Sequence, residues 1–508
     1  MDVLSYLATP FTDPLMLVAV ALGTLAGVYV GAIPGLTGTM AVSLLVSLTF
    51  GWSTNVALAA MIGVYIGAVF GGSRSAILLN IPGAPAAVAT GFDGYPLAQK
   101  GKAAQALGIT TTMSCVGGIF GVLCLAFLTP LVSKISLNFS PVDYFLLGVM
   151  GLMMIGALGG GSMVKGLMGA CVGVLLGRVG MDNMSGVVRF TFGSTSLMAG
   201  VPSVVAMIGL YGFSEALMQL KSRDFTVVKQ DVKRIVPQFK EVVKHFWLTL
   251  RCSTIGMVVG ALPGAGGTVA ALLAYDHARR TTKNPEVPFG EGAIEGLVAP
   301  ESSNNAAVGG AFIPMLTLGV PGDAITAIIM SALIVHGMQP GPLLMQNSKD
   351  LFYIVVSLCL IANILLLPFG LTGIRLFAKF VEIPKGRLFP IIVILAVTGA
   401  YVTNNLTIHI GWMLLFGFLG YLLKKFKYPA SPLVLGIVLG NMLETNMRNG
   451  LVAFKGVGGF IGSIFTRPIT FILFLVLFYF AVSRMRWWKA MMSKIKGFFK
   501  GLFTKKKA

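Results

Sequence analysis

Paired Pro-Gly breaks set in apolar sequence are the residues best placed to do chemistry in this chain. Pro34-Gly35-Leu36-Thr37-Gly38 and Pro263-Gly264-Ala265-Gly266-Gly267-Thr268 each join a helix-breaking proline to flexible glycine and a threonine hydroxyl. Asn80-Ile81-Pro82-Gly83 and Val320-Pro321-Gly322-Asp323 form a second pair. A helix broken inside a bilayer exposes N–H and C=O groups that lipid cannot satisfy, so the break must face protein or a cavity. Helix N-termini carry partial positive charge and free donors, which suits a carboxylate. Unwound carbonyls and hydroxyls suit Na⁺. The chemistry expected is therefore binding and release of an organic anion and a cation, without bond making.

Polar residues stranded near these breaks extend the candidate site. Ser73, Arg74 and Ser75 precede Asn80, and Ser302, Ser303, Asn304 and Asn305 precede Pro321. Intramembrane polar groups are costly and normally face a pathway or a partner. The expected substrate contacts are Pro34, Gly35, Thr37, Gly38, Ser73, Asn80, Pro82, Gly83, Pro263, Gly264, Gly266, Gly267, Asn304, Asn305, Pro321 and Gly322. The expected ion-coupling residues are Thr37, Thr268, Asn304 and Asp323. Asp323 suits an ion ligand or proton carrier, and equally a helix N-cap after Pro-Gly. Arg74 suits a bidentate pair with a substrate carboxylate, or snorkelling to the interface. Glu291, Glu295 and Glu301 read as a solvated or capping face.

Nothing in the sequence argues for catalysis. The histidines, His245, His277, His336 and His409, are far apart, and neither HExxH, GxxxxGK[ST] nor GxSxG occurs. No metal site and no resident cofactor is expected. The five cysteines lie in apolar stretches without CxxC spacing and read as packing thiols.

The elements that must position these residues are apolar helices. Of 508 residues, 56% are hydrophobic and 11% charged, where a soluble domain carries roughly 25% charged. Such a chain cannot clothe a soluble surface, so soluble enzymes, disordered proteins and disulfide scaffolds are excluded. Apolar runs suited to crossing a bilayer fall near 14–33, 55–79, 104–130, 142–160, 163–178 and 195–218. Others fall near 247–274, 305–336, 351–372, 388–402, 408–423, 430–443 and 468–483. The 64 glycines suit close helix–helix approach in lipid.

The halves resemble each other. Gly31–Ala41 and Gly260–Ala270 are identical at seven of eleven positions, Pro263 following Pro34 by 229 residues. Pro321 follows Pro82 by 239, and Gly71-Gly72 and Gly309-Gly310 precede them at nearly that spacing. Repeated breaks in the same order are a mark of internal-repeat transporters. The expected organisation is a first transmembrane repeat (1–218), a basic cytoplasmic linker (219–246), a second repeat (247–466), a final helix (467–483) and a basic amphipathic tail (484–508). Basic loops at 375–387 and 424–427, against poorer counterparts near Lys134 and Arg178, suggest that the repeats are inverted. The fold class expected is an all-α polytopic membrane protein of two repeat-related halves with broken helices or re-entrant hairpins.

The net charge of +20 is a topological signal. Nine basic and no acidic residues lie between Arg484 and Lys507, and seven basic residues between Lys221 and Lys244. Both clusters flank apolar spans, which argues for a cytoplasmic C terminus and against nucleic acid as a partner. In the tail, Trp488, Met491, Met492, Ile495, Phe499, Leu502 and Phe503 alternate with lysines at helical spacing, as on an anionic membrane surface. No cleavable signal peptide is expected, because Met1–Pro14 has no basic residue.

Taken with Thr90-Gly-Phe-Asp-Gly-Tyr-Pro-Leu97, Glu295-Gly296, Ala299-Pro300-Glu301, Asn304-Asn305-Ala306-Ala307 and His336-Gly-Met-Gln-Pro-Gly-Pro342, these motifs resemble the large membrane subunit of the tripartite tricarboxylate transporters, TctA type. The resemblance runs over nearly the whole chain. It implies an importer of tri- or dicarboxylates in the bacterial inner membrane, driven by a Na⁺ or H⁺ gradient. It also implies two partners: a small multi-helix membrane subunit, and a periplasmic solute-binding protein that delivers substrate. An elevator-like form of alternating access is the mechanism expected. The competing expectation is an ion channel or cation antiporter that uses the same breaks for cations alone.

Overall fold

The computed structural model describes residues 3–33, 36–158, 163–182, 185–221, 236, 238–372, 385–403 and 405–482. Pro34, Gly35, most of the basic linker and the amphipathic tail lie outside the described residues. What is described is almost wholly helical, with one two-residue antiparallel hairpin, β1 (Gly180–Met181) and β2 (Val188–Arg189).

Five helices organise the first half: α1 (Pro14–Ala32), α2 (Gly38–Leu48), α3 (Thr54–Leu79), α4 (Ala87–Leu97) and α5 (Ala103–Ser136). Five follow in the same order in the second: α6 (Phe246–Gly260), α7 (Gly266–Thr281), α8 (Glu295–Leu318), α9 (Ala324–Val335) and α10 (Lys349–Thr372). Local chemistry sets their ends. Asp13 caps α1, its Oδ1 accepting from Leu15 N at 2.9 Å, with Pro14 in the first turn where no N–H is needed. Helix α3 ends at Asn80 in the left-handed conformation (φ 56°), and α8 at Gly319 (φ 68°), 239 residues on. Beyond each cap, Ile81 N donates back to Ser75 O and Val320 N to Pro314 O, so both helices close with the same wrap before Pro-Gly.

Two apolar runs are therefore not single helices. The run 247–274 breaks between α6 and α7, and 305–336 breaks between α8 and α9, each at Pro-Gly. Proline lacks the N–H that would continue the ladder. The stretch 195–218 is irregular, with a 3₁₀ turn at Thr195–Leu197, α-helix at Ser203–Met207, a π-helical stretch at Ile208–Phe213 and α-helix again from Ser214. Among the described residues four spans are long and apolar enough to cross a bilayer: Pro14–Ala32, Thr54–Leu79, Ala87–Ser136 and Lys349–Thr372. A fifth is formed if Val457–Thr466 and Pro468–Tyr479, bent by 92°, count as one. Of the shorter apolar helices, α6 and α9 adjoin the second-half breaks.

Helices α3 and α8 lie at the centre, buried on every face over most of their length. Lipid gives apolar helices no hydrophobic reason to associate, so close packing must hold them. On α1, a Cβ at Gly27 would lie 2.4 Å from Val64 O of α3; on α6, one at Gly256 would lie 2.1 Å from Ser303 O of α8. These are equivalent positions in the two halves, and only glycine permits either approach. The halves also interlock. Helix α5 packs on α8 and α10 on α3, while α2 meets α9 and α7 meets α4.

Candidate functional site

The breaks converge on one cavity of about 510 Å³. Its wall includes Thr37 and Gly38 at the start of α2, Ala84–Ala86 before α4, Gly266–Thr268 at the start of α7, and Asp323 and Ala324 at the start of α9. Four helix N-termini thus face a common space. Thr37 Oγ1 accepts from Met40 N at 3.1 Å, and Asp323 Oδ1 from Thr326 N at 2.8 Å. The start of α7 has no side-chain cap, which opens the N–H donors of its first turn to a guest; at α4, also without a side-chain cap, Ala87 N and Val88 N donate to Ala84 O and Pro85 O. Among the described residues no lysine, arginine or histidine lines the cavity, and Asp323 is the one acidic side chain that does. Attraction for an anion there would have to come from the backbone dipoles at the helix starts.

Glycine lets the α7 break reach this position. Gly264 (φ 79°) and Gly266 (φ 61°) adopt the left-handed region that other residues avoid. Gly264 N donates to Gly322 O at 2.7 Å, tying the two breaks of the second half together. Gly267 packs on Asn304 of α8, where a Cβ would lie 2.2 Å from Asn304 Oδ1. Asn304 Nδ2 reaches Val69 O of α3 at 3.4 Å.

Of the residues expected at the site, Thr37, Gly38, Gly264, Gly266, Gly267, Thr268, Asn304 and Asp323 line the cavity. Pro34 and Gly35 lie outside the described residues, and the remaining described ones are not among its lining residues. Ser73 is buried and donates to Phe70 O at 2.7 Å. Asn80 is the exposed α3 cap and Pro82 is exposed after it, while Gly83 is buried with its N–H on Gly72 O. Asn305 is buried and donates to Glu301 O at 3.1 Å. Pro263, Pro321 and Gly322 form the backs of the second-half breaks. Asp323 serves as cavity wall and N-cap together, closing a capping box with Thr326.

Arg74 does not snorkel. It is buried, donates to Gly370 O and stacks on Phe70 at 5.2 Å. Glu301 is not solvated either: it is 1% exposed, and Thr90 Oγ1 (2.5 Å) and Ser114 Oγ (2.6 Å) donate to its two carboxylate oxygens. Charge spacing misread it because its cover comes from α4 and α5, nearly 200 residues away. Two further residues were not singled out in the sequence, although Asp93 lies within the Thr90–Leu97 motif. Tyr65 lines the cavity and donates to Asp323 Oδ2 at 2.5 Å. Buried Asp93 accepts from the N–H groups of Gly290, Gly292 and Ala293 at 2.8–2.9 Å and from the Tyr275 hydroxyl at 2.9 Å. Among the described residues, no group of three His, Cys, Asp or Glu side chains is placed to hold a metal ion.

The fold and cavity define an α-helical polytopic membrane protein with a chamber at paired helix breaks. The chain belongs to the tripartite tricarboxylate transporter TctA family, whose model matches residues 17–435. It is similar to a 52.8 kDa protein from the TAR-I ttuC' 3' region of Agrobacterium vitis, 36% identical over 462 residues that cover 90% of this chain and 91% of that one. A protein from the TAR-II ttuC' 3' region of the same organism is 40% identical over 201 residues, 40% of this chain and 83% of that one. No solved structure matches.

Proposed function

We propose that this chain is the translocating subunit of an ion-gradient-driven importer, and that its cavity holds a tri- or dicarboxylate. One observation carries the reading: four helix N-termini face one cavity that, among the described residues, no basic side chain lines. Several carboxylate groups on one small molecule match several dipole ends, and weak distributed attraction allows release as well as capture. Thr37, Thr268, Asn304 and Asp323 supply oxygen ligands for the coupling cation. Family membership supports the two partners, a small multi-helix membrane subunit and a periplasmic solute-binding protein.

The two repeats, 1–218 and 247–466, form the two sides of the cavity, and their broken-helix elements move as a block against a scaffold of the remaining helices in an elevator-like cycle. Their identical element order, matching caps and reciprocal packing support this division. The protein sits in the bacterial inner membrane with linker and tail in the cytoplasm. In support, Lys424 pairs with Glu215 at 2.5 Å and Lys165 donates to Phe426 O at 2.9 Å, gathering lysines on the face where 203–221 runs into the basic linker.

The test is uptake of labelled carboxylates into proteoliposomes holding the chain and its small partner. Substrate-loaded binding protein is supplied outside, under a Na⁺ or a pH gradient in turn. Accumulation that requires the binding protein and one gradient is the expected result. Ion flux with no organic anion moved would favour a channel or cation antiporter, which the Asp323–Tyr65 pair and the threonine hydroxyls would also serve.

A further inference from the structure

Glu301 is a carboxylate in the interior of the protein that the cavity does not use. Its side chain is 1% exposed, on a helix buried all round. An ionised carboxylate held without a counter-charge in such surroundings costs several kcal/mol, and its cheapest remedies are a proton or a paired cation. Among the described residues no basic side chain pairs with it. The charged and titratable groups carried by the helices around it are engaged elsewhere. Arg74 of α3 donates to Gly370 O, Tyr65 of α3 bonds Asp323, and Asp93 of α4 holds the 290–293 loop and Tyr275 of α7. Cys252 of α6 faces Ala274 O, and Cys115 of α5 is a buried thiol. Only hydroxyls address Glu301: Thr90 of α4, Ser114 of α5, and Ser73 of α3 beside them.

We propose that Glu301 is a proton-binding site of the transport cycle, latched by Thr90 and Ser114 and coupled to the cavity through one turn of α8. The reading rests on the transport function proposed above. Helical spacing places residues 301, 304 and 308 along one face, and Asn304 and Val308 both line the cavity. On the opposite wall, Ala86 lines the cavity and Thr90 stands one turn further along α4. The latch therefore joins the two helices that flank the chamber. Ionised, the carboxylate can accept from both hydroxyls, whose oxygens lie 2.5 and 2.6 Å from it. When a proton adds to one of its oxygens, the new O–H becomes a donor, and one of the two hydroxyls must turn to accept from it or let go. The grip of α4 on α8 then depends on whether the proton is bound, and the proton leaves by breaking that same O–H bond on the other side of the membrane.

Two measurements on the full chain test this. In infrared spectra of the detergent-solubilised protein titrated with acid and base, wild type is expected to show a titrating carboxyl C=O band that Glu301→Gln lacks and Glu301→Asp retains at a shifted midpoint. In proteoliposomes with the small partner and citrate-loaded binding protein, Glu301→Gln is expected to lose citrate accumulation driven by a pH gradient. A full set of titrating bands in Glu301→Gln, or accumulation by that variant equal to wild type, overturns the proposal. Should Glu301→Gln not fold, absence of the shifted band in Glu301→Asp overturns it as well. If wild type moves no citrate while the Glu301 band is present, the transport reading fails and the proton site stands. If wild type accumulates citrate and no band belongs to Glu301, the reverse holds.

Discussion

The Tyr65 hydroxyl donates to Asp323 Oδ2 across the cavity wall, joining residues 258 positions apart. Tyr65 belongs to the central helix of the first half, while Asp323 begins α9 of the second. Asp323 is thus held from two directions, its other oxygen capping α9 through Thr326. A carboxylate fixed in this way at a helix start can meet a cation without first being ordered, which spares the entropy of fixing it.

Separating cap from charge at position 323 is straightforward. Asparagine caps a helix as well as aspartate does, so Asp323→Asn is expected to fold and insert normally and to lose gradient-driven uptake. Tyr65→Phe removes one hydrogen bond to a charged group, worth about 2 kcal/mol. Uptake is expected to fall by roughly tenfold while the protein still elutes as a single species. Proteoliposome uptake and size-exclusion profiles of both variants check this.

Gly267→Ala places a Cβ against Asn304 Oδ1 at the cavity wall. The asparagine has to move, and substrate uptake is expected to drop more than thermal stability in detergent. Gly411→Ala is the control: nothing lies within 4 Å of its Cβ, and alanine gains about 0.5–1 kcal/mol over glycine in a helix interior. Equal transport in the two variants would count against a working role for Gly267.

Asp93 organises the chain before α8 by accepting three backbone N–H groups that have no other strong acceptor. Asp93→Ala leaves the buried donors of Gly292 and Ala293 unmet, at about 1–3 kcal/mol each before relaxation. The 284–294 segment is expected to become cleavable in limited proteolysis, and the melting temperature to fall. A variant as resistant as wild type would refute the tether.

His245 lies just before α6, 9% exposed, with Glu241 at 3.3 Å from Nδ1 and Glu295 at 3.5 Å from Nε2. Burial disfavours its charged ring, but the two carboxylates outweigh burial and hold its pKa above the ordinary value. A raised folded-state pKa adds stability that is full below the unfolded value, about 6.5, and is lost as pH rises through the folded one. The melting temperature is therefore expected to fall on going from pH 6 to pH 8, and to fall less in His245→Gln. Parallel melting curves for the two proteins across that range would rule the linkage out.

Much of this protein is legible without coordinates because its signals are local. Hydropathy marks the spans, proline and glycine mark the breaks, and the 229- and 239-residue repeats put equivalent breaks in both halves. Each depends on the bilayer's demand for paired backbone groups or on one residue's missing N–H, so position in the chain suffices. Thr37, Gly266, Gly267, Asn304 and Asp323 were reachable in this way. Ser73, Asn80, Pro82 and Asn305 carry the same signals and do not line the cavity, because a break in sequence does not say which side of it faces inward.

What only the tertiary structure decided are the partners. Tyr65 looks like any aromatic in an apolar helix until Asp323 arrives opposite it, and Glu301 looks like a solvated charge until Thr90 and Ser114 close over it. Asp93 looks like a loop acid until the 290–293 backbone wraps around it. In each case the partner comes from a distant stretch of chain, through the approach of α3 to the start of α9, of α4 and α5 to α8, and of α4 to the 290–293 segment. Sequence determined where helices run and break, since those are choices of single residues and their neighbours. Which polar groups are paired, buried or left facing a cavity depends on how the halves pack, and no local pattern encodes that.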